Sequence, residues 1–108
     1  MYIYNVTTNI DETVEQEWLS WMQGTHIPEM LETGKFLSAK LCKVMVEEEM
    51  GGVTYSVQYM VETTDALKAF YRENASLLRN RANAKFKNKF VFFETEMQLI
   101  DKQFTANN

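Results

Sequence analysis

Nine residues, Val53 to Val61, alternate without interruption: Val53, Tyr55, Val57, Tyr59 and Val61 are β-branched or aromatic, with Thr54, Ser56, Gln58 and Met60 between them. Successive side chains of a strand point to opposite faces, so this pattern describes a strand with one face in a core and one face of mixed polarity. Such a strand needs partners on its edges and a layer over its apolar side. The partners are legible. "KFLSAKLCKVMVEEE" is strand-like, and Met50-Gly51-Gly52 separates it from "VTYSVQYMVE". A glycine pair accepts positive φ, so the two runs form an antiparallel hairpin. "YIYNVTTNI" predicts a further strand over 2–9, and "FVFFETEMQLI" predicts the last.

The covering layer comes from two helical regions. Asp11 is an N-cap type, and Val14, Trp18, Trp21 and Met22 recur at helical spacing from about residue 12. Pro28 cannot donate to the carbonyl of Gly24, so this helix is expected to kink or restart there and to end at Gly34, a left-handed C′ residue. Residues 62–86 place Leu67, Phe70, Tyr71, Leu78 and Ala82 on one side, with a break into two helical pieces expected over Asn74 to Ser76. The order is βαββαβ, an α+β, ferredoxin-like arrangement. Right-handed crossovers put both helical regions on one face of a four-stranded antiparallel sheet.

At 108 residues the chain is expected to form a single domain over 1–101, followed by a polar tail over 102–108. Cys42 is the only cysteine and His26 the only histidine, which excludes an internal disulfide and argues against a zinc site, so no metal is expected. No apolar run approaches the roughly 20 residues of a membrane span, and "MYIYNVTTNI" lacks the basic lead and apolar core of an export signal, so a cytoplasmic protein without a membrane partner is expected. A formal charge of −4 disfavours nucleic acid as a partner.

Alternation assigns Tyr2, Tyr4, Val6, Val53, Tyr55, Val57, Tyr59, Val91, Phe93, Met97 and Leu99 to the helix-covered face. The opposite face then carries Ile3, Asn5, Thr7, Thr54, Ser56, Gln58, Met60, Phe92, Glu94 and Glu96. That second face is either a half-wet surface or, when two copies pack face to face, the wall of a polar-lined cavity. On the second reading Asn5, Thr7, Ser56, Gln58 and Glu94 are candidate ligand-binding residues. Glu94 and Glu96 lie two apart on one strand, about 6–7 Å from each other, and are expected to contact water or basic groups of a partner chain.

"YNVTTNID", "EWLSWM", "HIPEMLETGKF" and "EEEMGGVTYSVQY" together resemble domain-of-unknown-function family 4286, a family of small bacterial proteins, over about residues 1–100; the hairpin followed by "VTYSVQY" is specific. That family is similar in turn to the dimeric α/β-barrel superfamily. Its members pair two ferredoxin-like sheets face to face and include cofactor-free monooxygenases, small isomerases, haem-degrading enzymes and non-catalytic binders. The resemblance implies a homodimer and no particular reaction. His26-Ile27-Pro28 is similar to a His-x-Pro element found in several of those groups. The haem-degrading pattern is not met: Asn5 matches its asparagine, but residues 63–90 contain neither His nor Trp. No cofactor is expected.

His26 is the candidate catalytic residue, because imidazole titrates near neutrality. The structural alternative is preferred: Thr25 or His26 caps the restarted helix, with Pro28 in its first turn. Arg79, Arg81, Lys85, Lys87 and Lys89 form a basic run with no acid among them, expected to be a solvated face near a helix C-terminus. If that run binds anything, a small anionic molecule fits better than a polynucleotide. Trp18 and Trp21 are expected in the core or at a dimer contact. The leading expectation is therefore a homodimer that binds a small anionic or polar molecule or serves as an accessory protein. The alternatives are a cofactor-independent enzyme of the monooxygenase or isomerase type, with His26 as base and Asn5, Ser56 or Gln58 at an oxyanion, and a structural interaction module.

Overall fold

The computed structural model describes residues 1–46, 49 and 51–106. Its four strands are β1 (Tyr2–Ile10), β2 (Ser38–Lys43), β3 (Val53–Val61) and β4 (Phe90–Gln98). They form one antiparallel sheet in the order β2-β3-β1-β4. Between β1 and β2 run α1 (Glu15–Trp21), a π-helical turn (Met22–His26) and α2 (Ile27–Glu32); between β3 and β4 run α3 (Thr64–Glu73) and α4 (Ala75–Lys85). This is the expected ferredoxin-like βαββαβ order, with each helical region in pieces. Among the described residues no helix is long and apolar enough to cross a membrane.

Local chemistry sets most boundaries as the sequence predicts. The Asp11 carboxylate accepts from the Thr13 amide at 2.9 Å, and the Thr63 hydroxyl accepts from the Ala66 amide at 3.0 Å, so each covers a donor left open at a helix start. Asn74 (φ −127°) ends α3 and starts α4. Gly34 takes φ 76° after α2, and its amide reaches the Leu31 carbonyl at 3.1 Å. Gly51 and Gly52 have φ of 83° and 80°, and a Cβ on Gly52 would run into the Asn9 side chain. The hairpin is longer than a tight turn. β2 ends at Lys43, with one further bond from the Val44 amide to the Thr54 carbonyl at 2.8 Å. Of the acidic run before it, Glu47 and Glu48, like Met50, lie outside the described residues, and Glu49 is exposed in a turn.

The core is aromatic. Phe36 and Phe70 meet edge-on at 4.9 Å, Tyr4 lies 5.7 Å from Phe70 and 5.9 Å from Phe36, and Tyr59 closes the group at 5.2 Å from Phe36. A second centre forms where Trp18 lies 5.0 Å from Tyr55. Offset and edge contacts at these separations add to the stabilisation from area burial. The helix-covered face of β1 and β3 is the expected one, with Tyr4, Tyr55, Val57, Tyr59 and Val61 buried.

β4 has the opposite phase to the one expected. Directly paired residues of antiparallel strands share a face, and Val6 pairs with Glu94, Tyr4 with Glu96 and Thr8 with Phe92. Phe92, Glu94 and Glu96 therefore lie on the helix side, and Val91, Phe93 and Met97 on the uncovered side. Asn5 pairs with Gln58 and Thr7 with Ser56, so those four stay together on the uncovered face while Glu94 leaves the set. The reason is physical. β4 is an edge strand with large apolar side chains in both phases, so alternation does not discriminate. Glu94, which looks like a solvent residue, has partners on the helix side in Tyr4 and Arg79, and exposed Glu96 faces Tyr71 there.

Packing density around the rings makes their truncation expensive. Phe70→Ala (2% exposed) is expected to lower unfolding free energy by about 3–5 kcal/mol in urea titrations. Leu77→Ala on α4 (58% exposed) should stay within about 0.5 kcal/mol of the parent. Similar losses at both positions would contradict this core.

Candidate functional site

Proline drives the local geometry of the first helical region. Pro28 has no amide hydrogen, and the chain answers with a wider turn rather than a break: the Ile27 amide bonds back to the Met22 carbonyl, five residues earlier. Trp21, Met22, His26 and Ile27 all keep right-handed helical angles. Trp18, Met22, His26 and Met30 follow one another every four residues, a spacing that drifts by about 40° per step in a 3.6-residue helix. The π turn offsets that drift. It holds His26 on the inward line between buried Met22 and buried Met30. The expected capping role fails here, since His26 makes no side-chain cap and Thr25 is exposed.

Inward from this line lies a cleft between helices and sheet, with about 80 Å³ open to the centres of water-sized molecules. Its floor is Tyr4, Val6 and Thr8 of β1, its walls include Trp21, Phe86, Phe90 and Phe92, and α4 contributes Arg79 and Asn83. Mostly apolar walls with a few convergent polar groups are the usual makeup of a small-molecule site.

The polar groups have defined states. The His26 ring stacks on Trp21 at 4.8 Å, and its Nδ1 is buried with no hydrogen-bond partner among the described residues. Burial lowers the imidazole pKa, and nearby Glu29 only partly opposes this, so at neutral pH the ring is uncharged. Tyr4 donates its hydroxyl to Glu94. Burial foremost, then the carboxylate, holds its pKa far above the ordinary tyrosine value, and the hydroxyl stays protonated. Arg79 Nη2 donates to both oxygens of Glu94, 2.6 Å each, and lies 3.5 Å from the Tyr4 oxygen. Next along the strand, Glu96 faces Tyr71, whose hydroxyl is pushed up to about 12 by burial first and by that carboxylate second.

The candidate residues thus fall on two sides of the sheet. His26 lines the cleft. Asn5, Thr7, Ser56 and Gln58 lie on the far face, where the Ser56 hydroxyl donates to Asn5 Oδ1 at 2.6 Å and Asn5 Nδ2 donates to Thr7 Oγ1 at 2.9 Å. Within one protomer the sheet separates His26 from Asn5, Ser56 and Gln58, so the expected base and oxyanion donors do not meet. Glu94 serves the cleft side through Arg79 and Tyr4 instead of a partner chain. The basic run is also more than a solvated face: Arg79 pairs with Glu94, Arg81 with Glu29, and Lys85 with Glu17 at 3.6 Å. The sequence marks Arg79 only as one of five basic residues and does not mark Asn83, although their four-residue spacing places them on one side of α4. Among the described residues no cluster of three or more His, Cys, Asp or Glu could hold a metal ion.

Comparison with solved structures returns the same fold at low identity. A dimeric ferredoxin-like protein from an uncultured marine organism aligns with TM-score 0.70 and 9% identity, covering 94% of this chain and 97% of the other. HapK from Hahella chejuensis aligns with TM-score 0.70 and 11% identity over 99% of this chain and 100% of its own. A protein described as an antibiotic biosynthesis monooxygenase aligns with TM-score 0.59 and 12% identity, over 94% of this chain and 100% of its own. No curated protein matches the sequence. One family model does, over nearly the whole length: the chain belongs to the family described as Domain of unknown function (DUF4286), which its residues 1–100 match.

Proposed function

We propose that this protein is a cytoplasmic homodimer that binds a small, largely apolar molecule in the cleft between helices and sheet, with the uncharged imidazole of His26 as its polar contact. The observation that carries this reading is the mostly apolar cleft with His26 in its lining, the buried His26 Nδ1 having no partner among the described residues. A buried polar atom left without a partner costs about 1–3 kcal/mol, and a ligand hydroxyl or amide would supply the missing bond. A single, exposed cysteine suits a reducing compartment.

The dimer follows from the other face. Val91 is 70% and Phe93 62% exposed on β4, and Met97 continues the same line. Burying each such side chain contributes about 1.5–3 kcal/mol, and the dimeric ferredoxin-like neighbour shows that the fold supports pairing. In this arrangement Asn5, Thr7, Ser56 and Gln58 form the polar centre of the subunit interface, where they set its register or hold water. A second reading is supported by the state of His26. An uncharged imidazole in a cleft is a competent base, which favours proton abstraction of the cofactor-independent monooxygenase or isomerase type. Tyr4 and Arg79, on the same side of the sheet, then take the charge-stabilising part once expected of Asn5, Ser56 or Gln58.

Both tryptophans line the cleft, so their fluorescence reports on it. Benzyl alcohol, an apolar ring with one hydroxyl, is expected to give a saturable change. His26→Phe keeps the stacking on Trp21, removes the acceptor and should weaken binding by about 2–10-fold. No saturable change in the parent protein would contradict the cleft reading. Sedimentation at micromolar concentration should give twice the 12.7 kDa chain mass, and Phe93→Asp should give the single chain mass. A parent protein that sediments as a monomer removes the dimer. The His26 pKa is lower folded than unfolded, so its contribution to stability is complete above the unfolded value of about 6.5 and is lost as pH falls through the folded one. Melting temperatures should therefore decline from about pH 7.5 to 5 more in the parent than in His26→Phe; parallel declines would show that His26 is not titrating in a buried site.

A further inference from the structure

Arg79 is the only formally charged side chain among those lining the cleft; no carboxylate lines it. Glu94 meets the guanidinium through one nitrogen, Nη2. Nη1 and Nε have no partner among the described residues, and the side chain is 40% exposed. One edge of a planar five-donor fork is thus spent on Glu94 and the rest is open. Glu94 has a second partner in the Tyr4 hydroxyl, so it keeps a hydrogen bond if Arg79 turns toward another anion. Asn83, one helical turn beyond Arg79, also lines the cleft and adds amide donors.

From these facts we infer that the cleft takes a small aromatic carboxylate, with the ring against Trp21, Phe86, Phe90 and Phe92 and the carboxylate on Arg79. The inference rests on the cleft being the ligand site. The Arg79 guanidinium, paired with Glu94 through Nη2 alone, keeps its Nη1 and Nε donors for a second anion. Guanidinium geometry matches a carboxylate with two parallel bonds, each charge-assisted. The apolar walls then select a flat hydrocarbon body over inorganic anions, which have nothing to offer them. His26 remains available for a hydroxyl or amide substituent on the ring.

The test compares benzoate with benzyl alcohol by tryptophan fluorescence, in the parent protein and in Arg79→Gln. The inference expects benzoate to bind about tenfold or more tightly than benzyl alcohol in the parent. In Arg79→Gln that preference disappears while saturable binding of benzyl alcohol persists, which also shows that the variant is folded. Equal affinities in the parent, or a preference that survives Arg79→Gln, would overturn the carboxylate assignment and leave the cleft reading standing. Failure of both probes to bind the parent would overturn the cleft reading itself. If Arg79→Gln does not fold, Arg79→Lys in its place should keep part of the preference, and unchanged benzoate affinity there overturns the bidentate contact.

Discussion

Strand β1 is hydrogen-bonded along both edges, to β3 on one side and β4 on the other, through all nine of its residues. Its parity therefore decides the facing of the whole sheet. Even-numbered residues, Tyr4, Val6, Thr8 and Ile10, go to the helices; odd-numbered ones, Ile3, Asn5, Thr7 and Asn9, go to the uncovered face. A slip of one residue would exchange the two sets. It would put the Asn5–Thr7–Ser56 network under apolar helices and turn the ring of Tyr4 out of the core. The cost of both changes falls on the same slip, which is why a single register is held.

Tyr4 joins the two halves of the design. Its ring belongs to the aromatic group of Phe36, Tyr59 and Phe70, and its hydroxyl ends at the Glu94–Arg79 pair beside the cleft. Packing of the ring thus fixes the position of the carboxylate, and the carboxylate holds the guanidinium. On the opposite wall the helical turn around Pro28 does the corresponding job for His26. A missing amide hydrogen widens one turn, the wider turn corrects the helical phase, and the imidazole arrives inside with no partner of its own. Local backbone chemistry and core packing together place His26 and Arg79 in a mostly apolar space.

The fold was legible because its signals were strong and independent: the uninterrupted alternation of Val53 to Val61, the cap at Asp11, the glycines at 34, 51 and 52, and the break at Asn74. The site was less so, for three reasons that can be traced to residues. β4 carries bulky apolar groups in both phases, so its facing depends on Arg79 and Tyr4, which are distant in sequence. Pro28 marks a distortion in the sequence, yet whether the chain breaks or widens depends on what Met22, His26 and Met30 find to pack against. And Arg79, inside a run of five basic residues, looks like its neighbours until the partners of each are known. Composition shows charge; only tertiary structure shows which charge faces a cavity.

On the proposed reading the two sides of the sheet have separate duties, ligand on the helix side and a second copy of the chain on the other. A crystal structure of the protein soaked with benzoate tests this division most directly. The account predicts the ring within each protomer, in the cleft against Trp21 and Phe86, with its carboxylate on Arg79, and the uncovered faces closed against each other. Benzoate lodged between two sheets, against Asn5, Ser56 and Gln58, with the helix-side cleft empty, would contradict it.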